Sequence, residues 1–266
     1  MYRKVGTYDD SRKFQADLDA LAIDQWSIRW QMNFNVKKCH LLSARKRTHT
    51  ITNQYILKGK VLEPVEHYPY LGVELESNMK WDHHIKQITA KANQTLGFLR
   101  RNFSKCPQKV KEHVYHVLVR PHLEYASAAW DPHLDKDVKK VESVQRNAAR
   151  FVKNNYVREQ GVVTNLLKDL GWPSLQDRRK YHRLEMFYSI INGQSSLQIP
   201  NYLYRPVKRE TRTLDSGCFI HTKTTLDIYR HSYFPRTILD WNLLPSHIRQ
   251  SETKASFLAA LKQHLF

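Results

Sequence analysis

Over most of the chain, apolar residues recur every three or four positions, which is the spacing of one face of an α-helix. Phe14, Leu18, Leu21, Ala22, Trp26 and Trp30 mark the first such face and predict a helix from about Asp10 to Trp30. Asp9, Asp10 and Ser11 stand where its N-cap belongs, because short side-chain oxygens there accept the free N–H groups of a first turn. From Asn35 to Leu75 the period changes. Cys39–Ala44, Ile51–Leu57 and Tyr70–Leu75 are short runs rich in Tyr, Val, Ile and Leu, and Lys58-Gly59-Lys60 reads as a hairpin turn. A small antiparallel sheet is expected there.

The helical period then returns. After Trp81-Asp82, the positions Ile85, Ile88, Ala92, Leu96 and Leu99 define a second helix. Pro107 suits the first position of a third, whose apolar face would be Val110, Val114, Val117 and Leu118, with Pro121 ending or kinking it. A fourth helix is expected over Asp135–Lys153 through Val138, Val141, Ala148, Phe151 and Val152. A short helix stops at Gly171, and Ser174-Leu175-Gln176-Asp177 opens a longer one that stops at Gly193. Pro200–Gln250 shows no clear period, and Ser251 is the expected cap of a final helix with Phe257, Leu258, Leu261 and Leu265. The predicted class is α+β, predominantly α-helical. It divides into a part with a small sheet (1–76), a helical bundle (77–155) and a C-terminal helical region (156–266) with an irregular segment at 200–250.

Charge changes this picture. The 266 residues carry 43 Lys and Arg against 25 Asp and Glu, a net +18 that favours polyanions, with nucleic acid the leading partner class. Two windows hold no acidic residue at all. Val36–Leu62 contains Lys37, Lys38, Arg45, Lys46, Arg47, Lys58 and Lys60; His83–Lys111 contains Lys86, Lys91, Arg100, Arg101, Lys105, Lys109 and Lys111. Such windows favour phosphate contact over a salt-bridged solvated face. Arg146, Arg150, Lys153 and Arg158 form a third basic cluster.

Other chemistry is thin. The eight glycines never cluster into a phosphate-cradling loop, so nucleotide fingerprints of the Walker or dinucleotide type are absent. Cys39, Cys106 and Cys218 are odd in number and far apart, which argues against a disulfide framework and for a reducing, intracellular setting, nuclear or cytoplasmic. No apolar run is long enough for a membrane span, and no membrane partner is expected. Asp9-Asp10 could in principle hold a metal pair, but adjacent carboxylates before the polar run Ser11-Arg12-Lys13 favour helix capping. His83-His84, His113, His116 and His122 have no carboxylate or thiol at a completing spacing, so no metal site is expected. No strained GxSxG-type turn supplies a nucleophile, and no self-contained catalytic site is expected.

The order of several motifs is specific where each alone is weak. Asp17-Leu18-Asp19-Ala20-Leu21, Trp26, Trp30-Gln31-Met32-Asn33-Phe34-Asn35, Lys38-Cys39 and Tyr70-Leu71-Gly72-Val73 come first. Arg120-Pro121-His122-Leu123-Glu124-Tyr125-Ala126, Trp130, Gln145-Arg146, Ala148-Ala149-Arg150-Phe151, Gly171, Leu175, Arg178-Arg179 and Trp241-Asn242-Leu243-Leu244-Pro245 follow. Together they resemble the reverse transcriptases of non-LTR (LINE-type) retrotransposons of the jockey, CR1 and Rex kind, over nearly the whole chain.

The resemblance implies a C-terminal portion of such an RNA-directed DNA polymerase: the end of the palm, the thumb and the region after it. Tyr2-Arg3-Lys4-Val5 resembles the segment directly after the motif with the paired catalytic aspartates, so no catalytic residue is expected in this chain. Mg2+ is expected only for the complete polymerase. Lys38 takes the place of a lysine near the incoming nucleotide's phosphates. Tyr70, Leu71, Gly72 and Val73 take the place of the primer-grip hairpin, although an ordinary hairpin would use the same residue types. The helices of 77–155 would be the thumb, binding RNA–DNA hybrid through Lys86, Lys91, Arg100, Arg101, Lys105, Lys109, Lys111, Arg146 and Arg150 with little sequence preference. The alternative is a host-recruited or decayed basic helical protein that binds nucleic acid or acts as a scaffold, with no polymerase role.

Overall fold

The computed structural model describes residues 1–23, 29–32, 34–44, 53–197, 217–220 and 225–266. Trp26, Arg45, Lys46, Arg47, the start of the run Ile51–Leu57 and much of the segment 200–250 lie outside them. The chain forms two compact units, Met1–His83 and His84–Phe266.

The first unit opens with α1 (Tyr8–Ile23). Its cap lies earlier than expected: Thr7 Oγ1 accepts from the Asp10 N–H at 3.1 Å, and Asp10 Oδ2 accepts from the Thr7 N–H at 2.9 Å. Asp10 is therefore the reciprocal residue of a capping box rather than the cap. Ser11 is buried, within 2.9 Å of the Tyr55 hydroxyl. Strands β1 (His40–Leu42) and β4 (Glu63–Val65) pair in parallel, β2 (Ile56–Leu57) and β3 (Lys60–Val61) antiparallel, and β5 (His67–Tyr70) and β6 (Val73–Glu76) antiparallel. The predominantly helical α+β class stands, and one of the ladders departs from the expected antiparallel pairing. Leu18, Tyr55, Leu57 and Leu62 form the core, with Phe14, Val36, Cys39 and Leu41 packed on it. At its edge the Gln15 amide imitates a strand: Nε2 donates to the Ile56 carbonyl at 2.8 Å and Oε1 accepts from the Ile56 N–H at 2.9 Å.

The second unit is helical. Helix α2 (Asp82–Asn102) begins at the junction of the units and buries Ile85, Ala92, Leu96 and Leu99, as its period requires. Next come α3 (Gln108–Val114), a π-turn over Tyr115–Val119, α4 (Arg120–Glu124) and α5 (Ser127–Trp130). Here the expected face is wrong. Val110, Val117 and Leu118 are exposed, and the buried positions are Lys111, Tyr115, Val119 and Leu123. These fall four apart, and the wider π-turn keeps them on one line where a 3.6-residue turn would drift.

Helix α6 (Asp135–Lys153) buries Val141, Val144, Ala148, Phe151 and Val152. It is followed by α7 (Val162–Asp169) and α8 (Leu175–Ile191), whose cap Ser174 accepts from the Asp177 N–H at 3.0 Å. Within the segment without a clear period stand α9 (Asp227–Arg230), α10 (Tyr233–Asn242) and α11 (Ser246–Arg249), each too short to show one. The last helix, α12 (Lys254–Leu265), is capped by Thr253 with Ser256 reciprocating, two residues after the expected Ser251. Leu184, Phe187, Tyr188, Ile238, Trp241, Phe257 and Leu261 gather α8, α10 and α12 around one core.

Candidate nucleic-acid interface

In the first unit the turn Val36–Lys38 is capped by Asn35, whose Oδ1 accepts from the Lys37 N–H at 3.2 Å. Tyr68 on β5 donates its hydroxyl to the Lys38 carbonyl at 2.8 Å. The backbone of Lys38 is thus tied to the β5–β6 hairpin while its side chain stays exposed. In that hairpin Tyr70 pairs with Val73 across a two-residue turn, with Leu71 at φ 48° and Gly72 at φ 81°. Positive φ at both positions matches the twist of the strands, and glycine supplies it without a steric cost. Leucine does not, yet Leu71 sits at the tip 75% exposed. A bulky apolar residue held in that conformation at a loop tip is the kind of local strain associated with recognition.

In the second unit Lys86, Lys91, Arg101, Lys105, Lys109 and Arg146 are exposed. Lys91, Gln94, Phe98 and Arg101, all exposed, recur at spacings of three, four and three, so they line one outer stripe of α2 that continues into the turn carrying Lys105. No carboxylate pairs with Lys86, Lys91, Arg101, Lys105 or Lys109 among the described residues. Acidic groups elsewhere in the unit are engaged internally: Glu124 by Arg178 and Arg120, Asp131 by Arg179, Arg183 and Arg236, and Asp240 by Lys180 and Arg183. Arg100 is half-buried and donates to the Asn147 carbonyl at 3.0 Å, which ties the basic end of α2 to the turn of α6 bearing Arg146. Arg150 is half-buried as well. Lys111 is buried, with Nζ 5.4 Å from the Phe151 ring centroid, so its charge is spent on packing α3 against α6. His122 is held below the ordinary imidazole range, first by burial and then by the charge of Lys91, and so adds no charge at neutral pH.

Phe98 is the residue that sequence periodicity passes over. At 51% exposure it lies off the line of Ile85, Ala92, Leu96 and Leu99, and that offset is the signal that could have found it.

The carboxylates of Asp9 and Asp10 do not fit a metal pair, which needs oxygens free to converge. Asp10 Oδ2 takes the Gly6 N–H at 3.1 Å and the Thr7 hydroxyl at 2.8 Å besides the Thr7 N–H, and Asp9 pairs with Lys13 at 2.6 Å. The Thr7 side chain, then the Gly6 N–H, hold the Asp10 carboxyl below its usual range. Among the described residues, the converging group of metal-ligand type is His67, Glu74 and His83. The three cysteines are free thiols. No described helix is long and apolar enough to cross a membrane.

Comparison with known proteins gives three relatives. The RNA-directed DNA polymerase from mobile element jockey of Drosophila melanogaster is 24% identical over 164 residues, 59% of this chain and 17% of that protein. The probable RNA-directed DNA polymerase from transposon BS of Drosophila melanogaster is 26% identical over 196 residues, 68% and 21%. The jockey polymerase of Drosophila funebris is 25% identical over 175 residues, 60% and 18%. The chain is related to the RNA-directed DNA polymerases of non-LTR retrotransposons. It spans about a fifth of the length of the curated relatives it matches. No family model matches the sequence, and no solved structure does.

In this relative of the retrotransposon polymerases, several residues of the motifs quoted for the second unit are scaffold. Gln145 is buried, accepting from the Tyr115 hydroxyl at 3.0 Å and donating to the Pro173 carbonyl at 2.8 Å. Trp130 donates to the Tyr125 carbonyl at 2.7 Å and packs under the Arg179 guanidinium. Arg178 grips Glu124 through two nitrogens. Asn242 holds Phe219 by both backbone groups, at 3.0 and 2.8 Å.

Proposed function

We propose that this chain is the nucleic-acid-holding part of a non-LTR retrotransposon RNA-directed DNA polymerase. It grips an RNA–DNA hybrid by its phosphates through Lys86, Lys91, Arg101, Lys105, Lys109 and Arg146, with Arg100 and Arg150 behind them. The observation that carries the reading is the exposed stripe of α2 and its following turn, whose charged residues are all basic and, among the described residues, unpaired with any carboxylate. A face of that kind attracts phosphates without reading bases. Phe98 offers a ring for a sugar or an unstacked base amid the cations. Lys38 and the Tyr70–Val73 hairpin serve the primer end and the incoming nucleotide in the complete polymerase. The named activity of the relatives supports this reading.

The test is fluorescence anisotropy of the full chain with an RNA–DNA hybrid at several salt concentrations. Replacing Lys91, Arg101 and Lys105 by Ala lowers affinity and flattens the log–log salt slope by about 2–3. Lys111→Met leaves the slope as it is. An unchanged slope in the triple variant, with its fold intact by circular dichroism, overturns the proposal.

A further inference from the structure

The register of the β5–β6 hairpin sets Pro69 opposite Glu74 and His67 opposite Glu76. Side chains alternate between faces along a strand, so His67 and Glu74 stand on one face as diagonal neighbours across the ladder. The first turn of α2 brings a third group to them. Glu76 Oε1 accepts from the His83 backbone N–H at 2.9 Å, which fastens the helix start to the end of β6. The His83 ring then lies 4.6 Å from the His67 ring, centroid to centroid, tilted by 33°. His67 Nδ1 is 3.9 Å from Glu74 Oε2, and one ligand atom from each of the three residues lies within 4.8 Å of the others.

Two features distinguish this from a passing surface contact. Glu74 is 9% exposed, a carboxylate drawn out of water in a hairpin that is otherwise largely solvated. His83 Nδ1 is itself buried and has no hydrogen-bond partner. A buried imidazole nitrogen in that state is costly unless something fills its lone pair or takes its proton. A cation at the converging ligand atoms would engage an imidazole nitrogen of His83 and neutralise Glu74 at the same stroke.

We propose that His67, Glu74 and His83 bind a zinc-class divalent cation. Two imidazoles and one carboxylate are a donor set suited to Zn2+ in three positions of a tetrahedron, leaving the fourth to water or another ligand. Zn–N and Zn–O bonds of about 2.0–2.1 Å put tetrahedral ligand atoms about 3.3–3.4 Å apart, so the three close by about 1.5 Å at most. His67, more than half exposed, can make that movement by rotating its side chain. The bound ion would lock the hairpin tip carrying Leu71 and Gly72 to the start of α2. None of these residues belongs to the basic surface, so this inference stands apart from the proposed function.

The experiment is titration of the full, metal-free chain with Co2+, followed by displacement with Zn2+. One equivalent of Co2+ is expected to give the visible d–d absorption of a low-coordinate site, and Zn2+ to abolish it and raise the thermal midpoint. His67→Asn and Glu74→Gln should each weaken binding by more than the roughly 10–100-fold that loss of an outer-shell partner costs. His113→Asn, at an exposed histidine outside the cluster, should not. Because His67 is exposed, its variant reads ligation even where His83→Phe disturbs the helix start. A spectrum unchanged in His67→Asn and Glu74→Gln, or no Co2+ bound by the folded parent chain, overturns the proposal.

Discussion

The units treat polar groups at their cores in opposite ways. Around the Leu18, Tyr55, Leu57 and Leu62 core of Met1–His83 those groups are neutral: Ser11 meets the Tyr55 hydroxyl and Asn53 donates to Ser11, while Gln15 completes the exposed edge of β2. In His84–Phe266 the largest buried polar cluster is charged. Asp131 is buried among Arg179, Arg183 and Arg236, and Arg183 reaches on to Asp240. Neutral hydrogen bonds can be lost one at a time for about 1 kcal/mol each, whereas a buried charge web fails together, because each removal strands the charges left behind. The wide helical unit therefore depends on a few residues, and the small mixed unit on many weak ones.

The sharpest way to break this contrast is Asp131→Ala. It leaves Arg179, fully buried with two side-chain nitrogens already lacking hydrogen-bond partners, without its anion, and Arg183 with Asp240 alone. Stability should fall by about 3–5 kcal/mol in urea denaturation followed by tryptophan fluorescence; a loss under about 1 kcal/mol would contradict a buried, charged network. Leu57→Ala removes a core side chain of the small unit, and about 2–3 kcal/mol is expected in the same assay. Gln15→Ala should cost only about 1 kcal/mol, since water can replace it at the exposed Ile56 backbone; faster amide exchange at Ile56 is the local check.

The mildest effect is pH. His116, His122, His133 and His231 all titrate below the ordinary imidazole range. Burial is the first cause in each, followed for His133 by the charge of His231, whose ring stacks on it at 4.0 Å. Unfolded imidazoles take up protons near 6.5 while these resist. The second unit should therefore be fully stable above that pH and lose stability as pH falls through it toward the lower folded values. Denaturation midpoints at pH 7.5 and 5.5 should differ, and by less in a His133→Gln, His231→Gln variant. Equal shifts in parent and variant would remove the stacked pair from the account.

Much of the helical unit was legible in advance. The faces of α2 and α6 follow a 3.6-residue period over many turns, and a long amphipathic stripe has one way to bury itself. The π-turn after α3 was not legible, because Val110, Val117 and Leu118 are apolar yet point out, while Lys111 points in and finds Phe151. Caps were misplaced by two to four residues at α1 and two at α12, since short polar and acidic side chains crowd both starts and only backbone geometry chooses among them. The hairpin Tyr70–Val73 was expected only from the resemblance, since by residue type Tyr70–Leu75 reads as one strand that the structure breaks at Leu71 and Gly72; the basic character of 83–111 was foreseen from the acid-free window. That Lys111 leaves this set and Phe98 joins its surface was not.

By itself the sequence determined what depends on order along the chain: helix period, turn glycines, the acid-free windows, and the kinship with retrotransposon polymerases through motifs in series. Tertiary structure alone decided which charges are free. Asp131 meets Arg179, Arg183 and Arg236 across 48 to 105 residues, and His67, Glu74 and His83 converge only once strand register and a helix start are set. A partner's identity is written in neither residue's neighbourhood. Burial makes the difference, because a charge packed against an opposite charge is scaffold, and the same charge left in water is surface for a ligand.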